Sequence, residues 1–332
     1  MSGVNGRAGI VDLLRRSAGS APAVFFTGGP WVGRQAGYTP ERLLTDPVAL
    51  ADAQCRVHEK VGQDAVLAYF DPLYIPEAYG CRIRFLESGA LTSAVALTEV
   101  EARSPGVDEG RMPVILEAVA RLSRWSGGSV AVGTLLEGPL TTLSRVVGTE
   151  AALRLIIRDP SAVESALARV TEVLVRFARA AVAVGAELLV AADPVSSPAM
   201  ISPAMYERFV QPALTRFFDA IPAPVVLHVC GDTRPILRSM AATGAAALSL
   251  DQCIDLSEAR GLVGADCALA GNVSPSTLSS AAADAVTRES LAAIVAASPG
   301  PHVLMPGCGV PPESPLENVV AMVRAARAEG QP

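Results

Sequence analysis

Eight short apolar runs, each ending at or within two residues of a Gly, Asp or Pro and each followed by a longer amphipathic Ala/Leu/Arg stretch, leave this chain few ways to fold. They are AVFFTG (23–28), AVLAYFD (65–71), VAVGTLLEG (130–138), ELLVAAD (187–193), PVVLHVC (224–230), ALSLD (247–251), CALAGNV (267–273) and HVLMPG (302–307). Strands apolar at nearly every position belong in a parallel sheet buried on both faces, and the alternation with helical stretches means β/α crossovers. Eight such units in 332 residues predict an α/β fold, a closed (β/α)8 TIM barrel, as a single domain over 1–332. The segment from Leu73 to Asp108 exceeds an ordinary β/α loop. Its runs CRIRFLES and LTSAVALTE predict a hairpin-like insertion after the second strand, over the barrel mouth.

Such a barrel carries its active site at the C-terminal ends of the strands. Asp71, Glu137, Asp193, His228 with Cys230, Asp251, Asn272 and Cys308 all fall at or just past a predicted strand end. Strand ends are also where turns begin, and Asp and Asn serve as turn and helix-cap residues, so for Asp71, Asp251 and Asn272 a cap and a site residue are both open readings.

Charge narrows the partners. A net charge of -6 with no basic run argues against nucleic acid and against an anionic membrane surface. No apolar run reaches membrane-spanning length without Gly, Pro or charge. The first twenty residues place arginines after a short apolar stretch rather than before a long one, unlike a signal peptide. Six irregularly spaced cysteines do not form the framework of a small secreted domain. The expectation is a cytoplasmic protein with reduced thiols, acting on small molecules or proteins.

Strand alternation puts His228 and Cys230 on the same face, so an imidazole and a thiolate project together. Cys308 lies just past the eighth strand in the glycine-flanked turn MPGCGVPP, and barrel closure brings it to the same end. One His and two Cys suit zinc with a fourth position left open. Two thiolates already neutralise the dication, which favours holding and activating a substrate thiol over activating water. Glu137 is a candidate fourth ligand when no thiol is bound. For Cys55, Cys81, Cys253 and Cys267 packing is the expected role, although Cys253 could close a purely structural zinc site. His302, at the start of a strand, and His58, on a helix, are not expected to be ligands.

The segments HVCGDT (228–233), SLDQCIDL (249–256), GNVSP (271–275) and PGCGVPPESPLENV (306–319) resemble the uroporphyrinogen decarboxylase superfamily, and within it the methylcobalamin:coenzyme M methyltransferase branch. YFDPLYIPEAYGC (69–81) and ADPVSSPAMISPAMYERFVQP (192–212) extend the resemblance over most of the chain. It implies a barrel in which zinc, on His228, Cys230 and Cys308, binds an acceptor thiol that takes a methyl group from a methylated corrinoid. It also implies that Asp71 occupies the position of the decarboxylases' substrate-binding aspartate, with Asp193 shaping the same pocket as a second candidate catalytic residue and Arg34, Asp251 and Asn272 binding substrate. No Asp-x-His-x-x-Gly motif for cobalt is present, so the corrinoid would come free or on a separate corrinoid protein. The acceptor thiol is left open.

Two other readings compete. RQAGY (34–38) is similar to an arginine loop of the metal-independent decarboxylases, but the second arginine is missing. A porphyrinogen with several carboxylates needs several cationic partners. The other reading is a barrel that only binds a metal or ligand, with no catalysis.

Overall fold

The computed structural model describes residues 6–15, 22–86, 89–92 and 94–328. All eight predicted runs form strands: β1 (Ala23–Val24), β2 (Ala65–Leu67), β5 (Ala131–Glu137), β6 (Leu188–Ala192), β7 (Val225–His228), β8 (Ala247–Ser249), β9 (Ala268–Val273) and β10 (His302–Pro306). They form one parallel sheet in the order β1-β10-β9-β8-β7-β6-β5-β2, with helices between consecutive strands. This nearly closed barrel is the (β/α)8 TIM barrel that the alternation of runs and helices predicts.

The insertion after β2 contains the antiparallel pair β3 (Ile83–Leu86) and β4 (Gly89–Thr92). The hairpin forms inside the predicted insertion, but its second strand is GALT (89–92): LTSAVALTE supplies only Leu91 and Thr92 to it, and Leu97, Thr98 and Glu99 begin the helix Leu97–Ala102 instead; residues 87 and 88, between the strands, fall outside the described set.

The barrel's seam lies between β1 and β2, and it explains why these strands are shorter than their apolar runs. There the Asp64 amide donates to the Val24 carbonyl, and the Asp64 carboxylate accepts from the Val24 amide at 2.8 Å. Further along, the Tyr69 hydroxyl accepts from the Gly28 and Gly29 amides at 2.5 and 3.3 Å. Side chains thus satisfy backbone donors that a continuous ladder would otherwise pair. Arg327, in the last helix, pairs with Asp64 and ties the end of the barrel to its start.

Each strand sends alternate side chains inward. The lumen is lined by small residues such as Ala23, Ala65, Ala131, Ala247 and Ala268 beside larger ones such as Phe25, Leu135, Leu188, Val226 and Met305. Ile10, Leu13 and Leu14 of the helix Gly6–Leu14 are buried in this same cluster and close the N-terminal end of the barrel. Only the C-terminal end is left open for chemistry. The outward faces of the strands pack with the helices in a larger second core. No helix among the described residues is long and apolar enough to cross a membrane.

Candidate metal centre

His228 ends β7 and Cys230 follows two positions later, with 3.1 Å between the imidazole Nε2 and the Cys230 sulfur. Cys308 completes the group: one donor atom from each of the three lies within 4.8 Å of the others. Among the described residues no other His, Cys, Asp or Glu cluster of three has metal-ligand spacing. His228 is oriented through Nδ1, which lies 3.2 Å from the Ser249 carbonyl and 3.1 Å from its hydroxyl. A proton on Nδ1 directed at that carbonyl leaves Nε2 as the lone-pair donor, the arrangement a metal requires of its histidine. Ser249 is the register partner of His228 on β8, a pairing that becomes visible only once strand register is known.

The loop carrying Cys308 is fastened at both ends. The Gly307 amide donates to Val273 and the Val310 amide to Thr27, each at 2.8 Å. Cys308 is held well below the usual thiol range by its neighbours Cys230 and His228, while Cys230 is pushed up by the neighbouring Cys308 and by burial. Two neighbouring sulfurs and one oriented imidazole are a donor set for a soft or borderline divalent metal. Thr27, Leu135, Val190, Ala192, Ser249 and Met305, together with His228 and Cys308, line a small cavity below the centre.

Asp251 and Asn272 support this centre from behind. The Asp251 carboxylate accepts from the amides of Gly231 at 2.9 Å and Cys253 at 3.1 Å. The Asn272 amide donates to the carbonyls of Asp251 and Ile254 at 3.1 and 2.6 Å. Asn272 therefore holds the loop after β8, and Asp251 in that loop holds the residue after Cys230. Cys253 is exposed and lies outside the metal-ligand group.

Asp71, Glu137 and Asp193 lie on the β2, β5 and β6 side of the mouth. Asp71 is gripped by Arg111 in a two-point ion pair, at 2.7 and 3.1 Å, and also accepts from the Leu73 amide. Arg111 reaches Glu77 as well, at 2.7 Å. Glu137 ends β5, is almost fully buried and accepts from the Arg145 guanidinium at 3.1 Å; its other oxygen, Oε2, is buried with no hydrogen-bond partner. It lies outside the metal-ligand group. Asp193 turns to the helix Pro139–Val147 and accepts from the Thr141 amide and hydroxyl at 2.7 and 2.6 Å, capping it across strands. Arg34 is exposed on the helix Gly29–Ala36. Ser249, Arg111, Arg145 and Tyr69 are absent from the sequence reading. An arginine just before the helix Met112–Ser126 and another eight positions past a strand end carry no local signal.

Burial raises Glu137 from 4.5 to about 7 and Asp193 from 3.8 to about 6. Carboxyls raised in the folded chain bind protons more tightly there than when unfolded, so their contribution is fully present at low pH and is lost as pH climbs through about 4 to 7. Glu137→Gln removes one such group. Its melting temperature relative to the parent protein should therefore be higher at pH 8 than at pH 5; an equal or opposite difference in thermal melts would contradict the assignment.

The model of the uroporphyrinogen decarboxylase (URO-D) family matches residues 31–329. The chain belongs to the uroporphyrinogen decarboxylase family. Within that family, a methylcobamide:CoM methyltransferase from Methanosarcina barkeri is 33% identical over 293 residues, covering 86% of this chain and 85% of the relative. A uroporphyrinogen decarboxylase from Thermus thermophilus is 30% identical over 342 residues, covering 93% and 95%. A solved methyltransferase from Methanosarcina mazei superimposes with a TM-score of 0.91 at 29% identity, covering 97% of this chain and 98% of that one. The family thus includes similar relatives named for two different reactions, and the donor set at the barrel mouth must decide between them.

Proposed function

We propose that this protein is a zinc-dependent methyltransferase that moves a methyl group from a methylated corrinoid to a thiol, with residues 1–332 acting as one domain. The observation that carries the reading is the convergence of His228, Cys230 and Cys308 within 4.8 Å, with Nδ1 of the histidine already committed to Ser249. The named methyltransferase relatives support the same direction.

A zinc ion held by these three residues would lower the pKa of a thiol in its open position and so supply a nucleophile at neutral pH. The chain's own contribution is placement. His228, fixed by Ser249, and Cys230, fixed through the bond from Gly231 to Asp251, set two directions; the Cys308 loop sets the third. The apolar walls formed by Leu135, Val190 and Met305 keep water from the sulfur's inner side. In the overall reaction the thiol sulfur forms a bond to the methyl carbon while the cobalt–carbon bond breaks. The electron pair of that bond stays with cobalt, reducing it from Co(III) to Co(I), and the thiol proton goes to solvent.

The decarboxylase alternative finds less support. The guanidiniums of Arg111 and Arg145 at the mouth already face Asp71, Glu77 and Glu137, which leaves little positive charge for a substrate with several carboxylates. The non-catalytic alternative needs a fourth protein ligand, and Cys253 lies outside the metal-ligand group.

The test is to purify the protein without chelator, measure bound metal, and follow the loss of methylcobalamin absorbance with a panel of thiols. About one zinc per chain and thiol-dependent demethylation are expected. No metal even after reconstitution with zinc, or turnover that is indifferent to zinc, would reject the proposal.

A further inference from the structure

The mouth holds a second polar group that the metal centre does not use. Glu137 pairs in register with Ala192, and Ala192 with His228, so the three side chains share one layer and one face of the barrel wall. Leu135, Ala192, His228 and Cys308 line one cavity, and Ala192 lies between Glu137 and His228 in the register. Glu137 has only 4% of its side chain exposed, and its Oε2 is buried without a partner. A buried, unpaired carboxylate oxygen is costly and calls for a donor.

Charge points the same way. The carboxylates of Asp71, Glu77, Glu137 and Asp193 stand against the guanidiniums of Arg111 and Arg145, and Glu137 feels both Asp71 and Asp193 as neighbouring charges. This side of the mouth is short of positive charge, while Arg145, with 41% of its side chain exposed, keeps N–H donors beyond the one bonded to Glu137. A buried acceptor beside a half-exposed guanidinium matches the two charges of an amino-acid head group.

We infer that the acceptor is an α-amino thiol, its ammonium on Glu137 Oε2, its carboxylate on Arg145 and its sulfur at the His228, Cys230 and Cys308 centre. The inference rests on the proposed thiol-acceptor reading and narrows it.

The test uses calorimetric titration of the zinc-loaded full-length protein with homocysteine, with 4-mercaptobutyrate, which keeps the carboxylate and lacks the amine, and with 2-mercaptoethanesulfonate. Homocysteine should bind at least about tenfold more tightly than the other two, as expected for a charge-assisted bond to a buried group. Glu137→Gln, nearly isosteric and checked for folding by circular dichroism, should abolish that preference and leave 4-mercaptobutyrate binding within about twofold of the parent. Equal or tighter binding of either amine-free thiol, or a uniform loss for all three thiols in Glu137→Gln, would overturn the inference. Should the sulfonate bind best and still be methylated, the amino-thiol assignment falls while the methyltransferase reading stands. If no thiol binds, both fall.

Discussion

Cys308→Ala is expected to take bound zinc from about one per chain to near zero after dialysis, and to slow thiol-dependent demethylation of methylcobalamin by about 1,000-fold or more. A centre with three protein ligands and an open position has no redundancy. Removing one sulfur leaves His228 and Cys230, two donors from the end of β7 and the residues just after it, with no third donor opposite to close the chelate. His228→Ala should act alike and also strand the Ser249 carbonyl and hydroxyl that hold the imidazole. Cys253→Ala is the control: its sulfur lies outside the group, so metal content and turnover should survive. Elemental analysis beside the cobalamin absorbance assay reads both effects. Metal retained by Cys308→Ala but lost from Cys253→Ala would exchange the roles of the two cysteines.

The parts of this protein legible in the sequence are those set by periodicity. All eight strands fall in their apolar runs, because a strand buried on both faces must be apolar at every position. His228 and Cys230 are legible as a pair from strand alternation alone, and Cys308 joins them once the barrel is assumed. What the sequence hides is contact between distant segments. Ser249 is one of many serines until register places it against His228. Arg111 looks like an ordinary charge in an insertion, yet it clamps Asp71 from 40 positions away. Asp193 ends a strand as a site residue would, but at the next position after inward-facing Ala192 its side chain turns to a helix N-terminus, where a carboxylate is also favoured. The helix Gly6–Leu14 is short and weakly patterned; it finds its place only because the closed barrel leaves the lumen residues an end to be covered.

The metal motif also depends on a residue with no chemistry of its own. Gly307 precedes Cys308, and a Cβ there would fall well inside van der Waals contact with the Gln252 amide nitrogen, with the Gln252 Cα at 3.1 Å. Gln252 follows Asp251, whose carboxylate holds Gly231 beside Cys230, so the crowded backbone belongs to the loop that supports the other two ligands. Neither segment can yield independently: Gly307 is bonded to Val273, and the 251–254 loop is held by Asn272. Gly307→Ala should therefore displace the Cys308 sulfur from the group, weakening zinc by about 100-fold and lowering stability by about 3 kcal/mol as the overlap is relieved by backbone movement. Gly309→Ala isolates the cause. At that position the nearest atoms to a new Cβ are Thr27 O and Oγ1 at 3.8 Å, ordinary contact distance, so the same added methyl on the other side of Cys308 should leave zinc affinity within about threefold. Competition against a zinc chelator, with thermal melts of both variants, separates the cases. Equal losses in the two would mean that general loop stiffness, rather than the close approach of Gly307 to Gln252, governs how Cys308 is presented.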